Sequence, residues 1–334
     1  MSLKEEQIKR GEFSFLTENS KASTNLANHF YYYLKPLMPR SVQLGLRRML
    51  VAIKRKKYRD IWPIDERAGK QPDGWVGWPE DKRFALVLTH DVDTGPGQKK
   101  LPGLVSIEGE LGFKASYNFV PERYKVSAAL RKEIEERGFE IGLHGLKHDG
   151  KLFRNRRIFL QRAVRINDYM KKWRIQGFRS PAMHHNLKWI LELDIKYDAS
   201  TFDTDPFEPK PEGCGTIFPF WVEGNSLGEG YVELPYTLPQ DFTLFVLMKE
   251  RNINIWKRKL DWIAEKGGMA LLNTHPDYMN FDGKKLDKEE YPVRYYKDFL
   301  SYVKDRYDGQ YWHVLPRDIA RFWKENMVEK RTED

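Results

Sequence analysis

The chain has 334 residues, 40% hydrophobic and 14% aromatic, which suits one large folded domain with added segments and excludes a disordered tail. A single cysteine, Cys214, excludes an internal disulfide framework, and no stretch approaches the ~20 apolar residues that cross a bilayer. The net charge of +9 is uneven: residues 1–80 carry 15 Lys and Arg against 9 Asp and Glu, and the remaining 254 carry 42 against 39, so the later region has no basic stripe for nucleic acid.

Residues 1–80 read as a basic, aromatic extension, and 81–330 as the main domain. The N-terminus lacks the apolar core and small-residue cleavage site of a secretory signal, so a cytoplasmic location is expected. An aromatic cluster, Phe30-Tyr31-Tyr32-Tyr33, precedes a basic amphipathic helix over 40–59. Val42, Leu46, Met49, Leu50 and Ile53 share one face of it, and Arg47, Arg48, Lys54, Arg55, Lys56, Lys57 and Arg59 supply charge with no acid until Asp60. Two readings stay open. The apolar stripe packs on the main domain with the basic residues solvated, or the helix lies peripherally on the inner, anionic face of a membrane.

Residues 75–79 form an irregular connector, after which strands and helices alternate. An apolar run at 84–89 suits a buried parallel strand. Strands follow at 114–119, 139–143, 174–178 and 195–199, with helices at 126–137 and 153–172 between them. Strands at 216–222 and 231–235 flank a Gly-rich turn; then come a helix (254–265), a strand (269–273), a helix (292–306), a strand (311–315) and a closing helix (316–327). This alternation predicts a parallel α/β barrel, regular or distorted, with chemistry at the C-terminal ends of its strands.

Five motifs fall at such ends: Thr89-His90-Asp91-Val92-Asp93, His144-Gly145-Leu146-Lys147-His148, Arg179-Ser180-Pro181, Asp241-Phe242 and Thr274-His275-Pro276. In Asp91-Val92-Asp93 one carboxylate can bind metal while the other acts as base, although the pattern also suits a plain Asp-rich turn. His144 and His148 are four apart, so one helical turn would put both imidazoles on one face. Two imidazoles and a carboxylate make the three-ligand set of catalytic zinc, with a position left for water; cobalt, iron or nickel suit it too. Zinc-protease helices carry Glu after the first histidine. Gly145 stands there instead, so a base must come from elsewhere, and Asp91 is the candidate.

In order, the five motifs resemble those of the polysaccharide deacetylases, carbohydrate esterase family four with its chitooligosaccharide-deacetylase homology domain, over roughly residues 83–323. The resemblance implies a distorted (β/α) barrel and a metal-dependent hydrolase that removes acetyl groups from sugars in glycan or polysaccharide biosynthesis. It implies Asp93, His144 and His148 as metal ligands, and Asp91 as general base with Arg179 holding its carboxylate ionised and oriented. His275 would be the general acid, Asp241 the residue that tunes it, and Phe242 a wall of the acetyl pocket. The implied partner is an acetylated sugar or glycan precursor, nucleotide- or lipid-linked.

The chain departs from that family pattern in three places. The first motif of the family has adjacent carboxylates, whereas Val92 separates them here and His90 replaces an aromatic residue. Ala182 stands where the family has Tyr. A long insertion separates Asp241 from His275. The first two departures also fit an amidase acting on a non-sugar amide or cyclic imide. A glycan-binding protein on an inactive scaffold is a third reading, opposed by the intact ligand set.

Other candidates are weaker. Gly224-Asn225-Ser226-Leu227-Gly228 matches a nucleophile elbow but precedes a strand, as a hairpin turn would. His184 and His185 can reach substrate or cap the next helix. Asp203 and Asp205 are read as a turn, and His313 as an ordinary strand residue.

Overall fold

A computed structural model describes residues 39–208, 213–226, 228–283 and 285–329. The aromatic cluster at 30–33 therefore lies outside the described residues. The chain divides into two compact units, Met1–Leu46 and Arg47–Asp334, and the second contains the sheet.

The first helix, α1, spans Arg40–Lys57. The strands are β1 (Phe84–Val92), β2 (Ser116–Phe119), β3 (Glu140–His144), β4 (Gly177–Arg179), β5 (Tyr197–Asp198), β6 (Phe220–Glu223), β7 (Gly230–Glu233) and β8 (Met269–Thr274), followed by β9 (Met279–Asn280), β10 (Tyr291–Pro292) and β11 (Tyr311–His313). Between them lie α2 (Gly95–Leu111), α3 (Ala128–Glu136), α4 (Arg156–Trp173), α5 (Leu187–Ile190), α6 (Asn254–Lys266), α7 (Arg294–Tyr307) and α8 (Pro316–Trp323).

β1 is central. It pairs in parallel with β8 on one side, and with β11 and then β2 on the other. From β2 the order runs through β3, β4, β5 and β7, with β6 as an antiparallel edge. The chain leaving β7 then reaches β8: Leu238 bridges Leu272, and the Thr237 and Leu238 amides both donate to the Leu271 carbonyl, at 3.1 Å each. The sheet thus curls into a distorted (β/α) barrel, as the alternation of elements led us to expect.

All nine residues of β1 are buried, as an apolar run in a parallel sheet requires. The strand extends beyond the expected 84–89, so Asp91 lies within it rather than after it. Alternation along β1 separates two environments. His90 faces a buried cluster in which its Nδ1 meets Thr274 Oγ1 and its Nε2 meets Glu108 Oε1, both at 2.7 Å; Tyr117 and Tyr296 also donate to Glu108. Thr89, Asp91 and Asp93 face the other way.

Parallel register brings Asn118 of β2 and Gly142 of β3 level with Asp91. A Cβ at Gly142 would fall 1.9 Å from Asn118 Oδ1, so only glycine leaves room for that side chain. One layer deeper, Glu140 accepts from the Tyr197 hydroxyl at 2.8 Å and the Arg317 amide at 3.3 Å. Burial pushes its carboxyl up from the ordinary 4.5 to about 7, against the lowering effect of Tyr197. A group raised in the folded state stabilises fully below its unfolded value, and that contribution fades as pH rises through the folded one. Denaturation midpoints of the parent are therefore expected to fall between about pH 4.5 and 7, an effect of about 3 kcal/mol at most. Glu140→Gln is expected to flatten that slope, and a slope unchanged in the variant would assign it to another group.

Two expectations need correction. The first hairpin strand, β6, begins at Phe220 rather than near 216, because the preceding segment leaves the ladder and donates its Ile217 amide to the Ala68 carbonyl instead. On α1, the expected packing of the apolar stripe against the main domain is reversed over residues 47–57. Arg48 donates to the carbonyls of Val246 (3.1 Å) and Lys288 (2.9 Å), Lys54 to that of Pro206 (2.7 Å), and Arg55 pairs with Glu250 (2.6 Å). The cations thus find acceptors on the barrel, while Met49, Leu50 and Ile53 stay exposed.

Candidate functional site

The five motifs converge at the C-terminal ends of β1, β3, β4 and β8. His144 ends β3, and its Nδ1 lies 3.2 Å from the Arg179 carbonyl. Donation there fixes the tautomer with the proton on Nδ1, leaving the Nε2 lone pair facing Asp93. His144 Nε2 and His148 Nε2 approach Asp93 Oδ1 at 3.4 and 3.1 Å, and one ligand atom from each of the three residues falls within 4.8 Å of the other two.

The two histidines do not share a helix, contrary to expectation. Residues 145–148 form a tight turn in which Gly145 (φ 60°) and His148 (φ 52°) are left-handed. Gly145 is required twice over, since a Cβ there would also sit 2.6 Å from Pro181 Cδ. The same contact explains why no glutamate follows His144.

The three side chains fit a tetrahedral divalent ion. Ligand atoms about 2.0–2.2 Å from such an ion stand roughly 3.3–3.5 Å from one another. Asp93 Oδ1 is buried and without a hydrogen-bond donor, so its lone pairs fit a cation. Burial works against charge on Asp93, but the two imidazoles hold its carboxyl well below the usual carboxylate range.

Asp91 is 2% exposed, and both its oxygens are held. Asn118 donates to Oδ1 at 2.9 Å and Asn273 to Oδ2 at 2.8 Å. Burial alone would raise the carboxyl, yet His144, Arg179 and His275 together keep it below the ordinary value. Arg179 lies 3.7 Å from Asp91 Oδ1 through Nε, and none of its three guanidinium nitrogens has a hydrogen-bond partner. Its influence on Asp91 is therefore Coulombic, and the orientation expected of it is supplied by the two asparagines.

His275 Nε2 lies 3.9 Å from Asp91 Oδ2 on the opposite side from His144. Its Nδ1 meets Asp241 Oδ1 at 2.7 Å, and its backbone amide donates to Asp241 Oδ2 at 2.8 Å. Tyr291 also donates to Oδ2, at 2.9 Å. Burial would lower the imidazole, but Asp241 foremost, then Asp93 and Asp91, push it up to about 10. The long insertion that obscured the link between Asp241 and His275 contains α6, which returns the chain to β8. Phe242 is one ring removed from His275: Tyr278 stands between, its centroid 5.2 Å from His275 and 4.7 Å from Phe242.

Sequence reasoning missed Asn118, Asn273, Tyr291 and Asp277. Asp277 accepts from the Asp93 amide (2.9 Å) and the Thr94 hydroxyl, and so fixes the backbone that carries Asp93. The available signal was an asparagine near the end of each of two predicted strands. The weaker candidates fall outside the centre. Asp203 forms a buried pair with Lys259 at 2.5 Å, and Asp205 accepts from Tyr236 at 3.0 Å. His313 accepts from the Lys114 amide, and His185 Nδ1 meets the Met183 carbonyl. Ser226 lies in the β6–β7 turn, and His184 lines a small recess beside His148.

Fold and site together define a parallel barrel with a two-histidine, one-carboxylate cluster at its carboxyl end. No family model matches the sequence, and no curated protein matches it. Among solved structures the chain is similar to a protein of Mycobacterium smegmatis named as a polysaccharide deacetylase, with a TM-score of 0.61 at 17% identity, covering 77% of this chain and 96% of that one. A Pseudomonas aeruginosa PAO1 protein named likewise gives 0.59 at 14% identity over 79% and 98%. PuuE allantoinase gives 0.57 at 17% identity over 79% and 98%. The chain has the fold these proteins share.

Proposed function

We propose that the barrel over residues 81–330 is a metal-dependent hydrolase of the polysaccharide deacetylase family that removes an acetyl group from an N-acetylated sugar during glycan biosynthesis. The observation that carries this reading is the convergence of Asp93, His144 and His148 on one point, with Asp91, held by two amides, and His275 beside them. Asp93, His144 and His148 would hold the ion, which when bound polarises the acetyl carbonyl and acidifies water.

The remaining chemistry belongs to the chain. Asp91, ionised and fixed by two amides, takes a proton from the attacking water. His275 is anchored through Nδ1 to Asp241, so its Nε2 proton faces the site and passes to the leaving amine as the C–N bond breaks. Acetate and the free amine result. Arg179 balances the charge on Asp91 in a buried setting.

The test is elemental analysis of the parent beside a His144→Ala/His148→Ala variant, followed by an acetate-release assay on N-acetylated sugars. About one divalent ion per chain is expected in the parent and none in the variant, with acetate release falling to background. A parent that takes up neither zinc nor cobalt would overturn the reading. Two features of the sequence favour a second reading, hydrolysis of a non-sugar amide or cyclic imide: the Asp91-Val92-Asp93 spacing and Ala182 after Pro181. Metal without acetate release, accompanied by turnover of such an amide, would support that one instead.

A further inference from the structure

We propose that the outer face of α1 is a docking surface for an anionic lipid bilayer. Successive 100° steps place Arg47, Arg48, Val51, Lys54 and Arg55 on one arc of the helix and Met49, Leu50 and Ile53 on the opposite one, which Val42 and Leu46 continue. The inner arc is fastened. Val51 is buried, Arg48, Lys54 and Arg55 are bound to barrel carbonyls and Glu250, and Arg47 lies 4.7 Å over the Phe242 ring. Rotation about the helix axis would break these contacts, so the apolar arc is held outward.

That arc is unusually apolar for a solvated surface. Met49, Leu50 and Ile53 are 55, 54 and 58% exposed, and Ile61 beyond the helix is exposed as well. Half of the ten exposed large hydrophobics among the described residues lie on this one helix. Contiguous apolar surface of this kind marks a binding face.

Charge selects the occupant. Lys56 falls at the edge of the stripe and Lys57 within its arc, one turn beyond Ile53; both are exposed, as is Arg59 after them, and the helix contains no acid. The neighbouring 282–290 segment carries Asp282, Asp287, Glu289 and Glu290 against Lys284, Lys285 and Lys288, so the positive field comes from the helix alone. An apolar stripe flanked by lysines is complementary to an anionic headgroup layer above acyl chains. No helix among the described residues is long and apolar enough to cross a membrane, so the contact is superficial. Because Arg47 touches Phe242, next to Asp241, the docked helix borders the rim of the catalytic centre.

The test is co-sedimentation of the full chain with vesicles of phosphatidylcholine alone and with phosphatidylglycerol added. Binding to the anionic vesicles is expected, weakened about ten-fold or more by Leu50→Asp/Ile53→Asp with unchanged Tm and metal content. Lys56→Glu/Lys57→Glu should abolish the preference for phosphatidylglycerol. Absence of binding, or binding equal in the variants, overturns the proposal. So does lipid-free self-association that Leu50→Asp/Ile53→Asp abolishes, which would make a second copy the occupant. A fall in Tm of that variant without vesicle binding by the parent would mean that the protein covers its own helix, and would overturn it equally.

Discussion

Asp91→Asn is expected to lower kcat by about 10²–10⁴-fold while leaving bound metal near one ion per chain and KM little changed. Asp91 is not among the three converging ligands, so the metal should persist. The substitution is nearly isosteric, and one of the two asparagine donors keeps its acceptor while the other meets the new NH2 group. What disappears is a base and a buried negative charge. The charge matters separately, because Arg179 Nε lies 3.7 Å away with no other partner for its guanidinium. An uncompensated buried cation destabilises, so Tm should fall too. Measuring kcat at a temperature well below the new Tm separates the two effects. Retention of activity within ten-fold would mean that another group takes the proton.

Asp241→Asn addresses the acid. In the parent, nearby carboxylates, Asp241 foremost, outweigh burial and push His275 up to about 10. The acid form is active, so kcat should hold through neutrality and fall as pH rises through that value. A bound cation repels the imidazolium, so about 10 is an upper bound for the limb. Losing Asp241 removes the largest favourable charge and leaves burial to dominate. The alkaline limb is expected to move down by about 1–3 pH units, with kcat at pH 8 falling by up to about ten-fold. A profile of unchanged shape, lowered uniformly, would assign Asp241 a structural role alone. Asp241→Glu should restore part of the limb if charge, rather than shape, is what His275 needs.

Much of this was legible in the sequence, and the illegible parts share a cause. β1 could be read because a fully buried parallel strand is a continuous apolar run, which little else in a soluble chain resembles. The convergence of carboxylates and imidazoles could be read from residue types at strand ends. Its backbone could not: the His144–His148 spacing suggests a helical turn, whereas Pro181 pressing on Gly145 selects a left-handed one. Asn118 and Asn273 stand out locally only as amides near strand ends. They matter only because parallel register sets each beside Asp91, and register is a property of the assembled sheet. The inward turn of the cations on α1 was hidden for the same reason, since its acceptors are carbonyls at 206, 246 and 288.

The seam that closes the barrel bears on how the protein responds to heat. Closure rests on a few hydrogen bonds from Thr237 and Leu238 to β8, far fewer than join β1 to its neighbours. Asp241 follows one side of that seam and His275 the other. Elements joined by few contacts open locally at a lower free energy than the whole fold. Each such opening would part the imidazole from its counter-charge while Asp93, His144 and His148, at or just beyond the ends of β1 and β3, stayed in place. Warming should therefore silence catalysis reversibly before the barrel melts, with amide exchange at Leu238 and Leu271 rising in step.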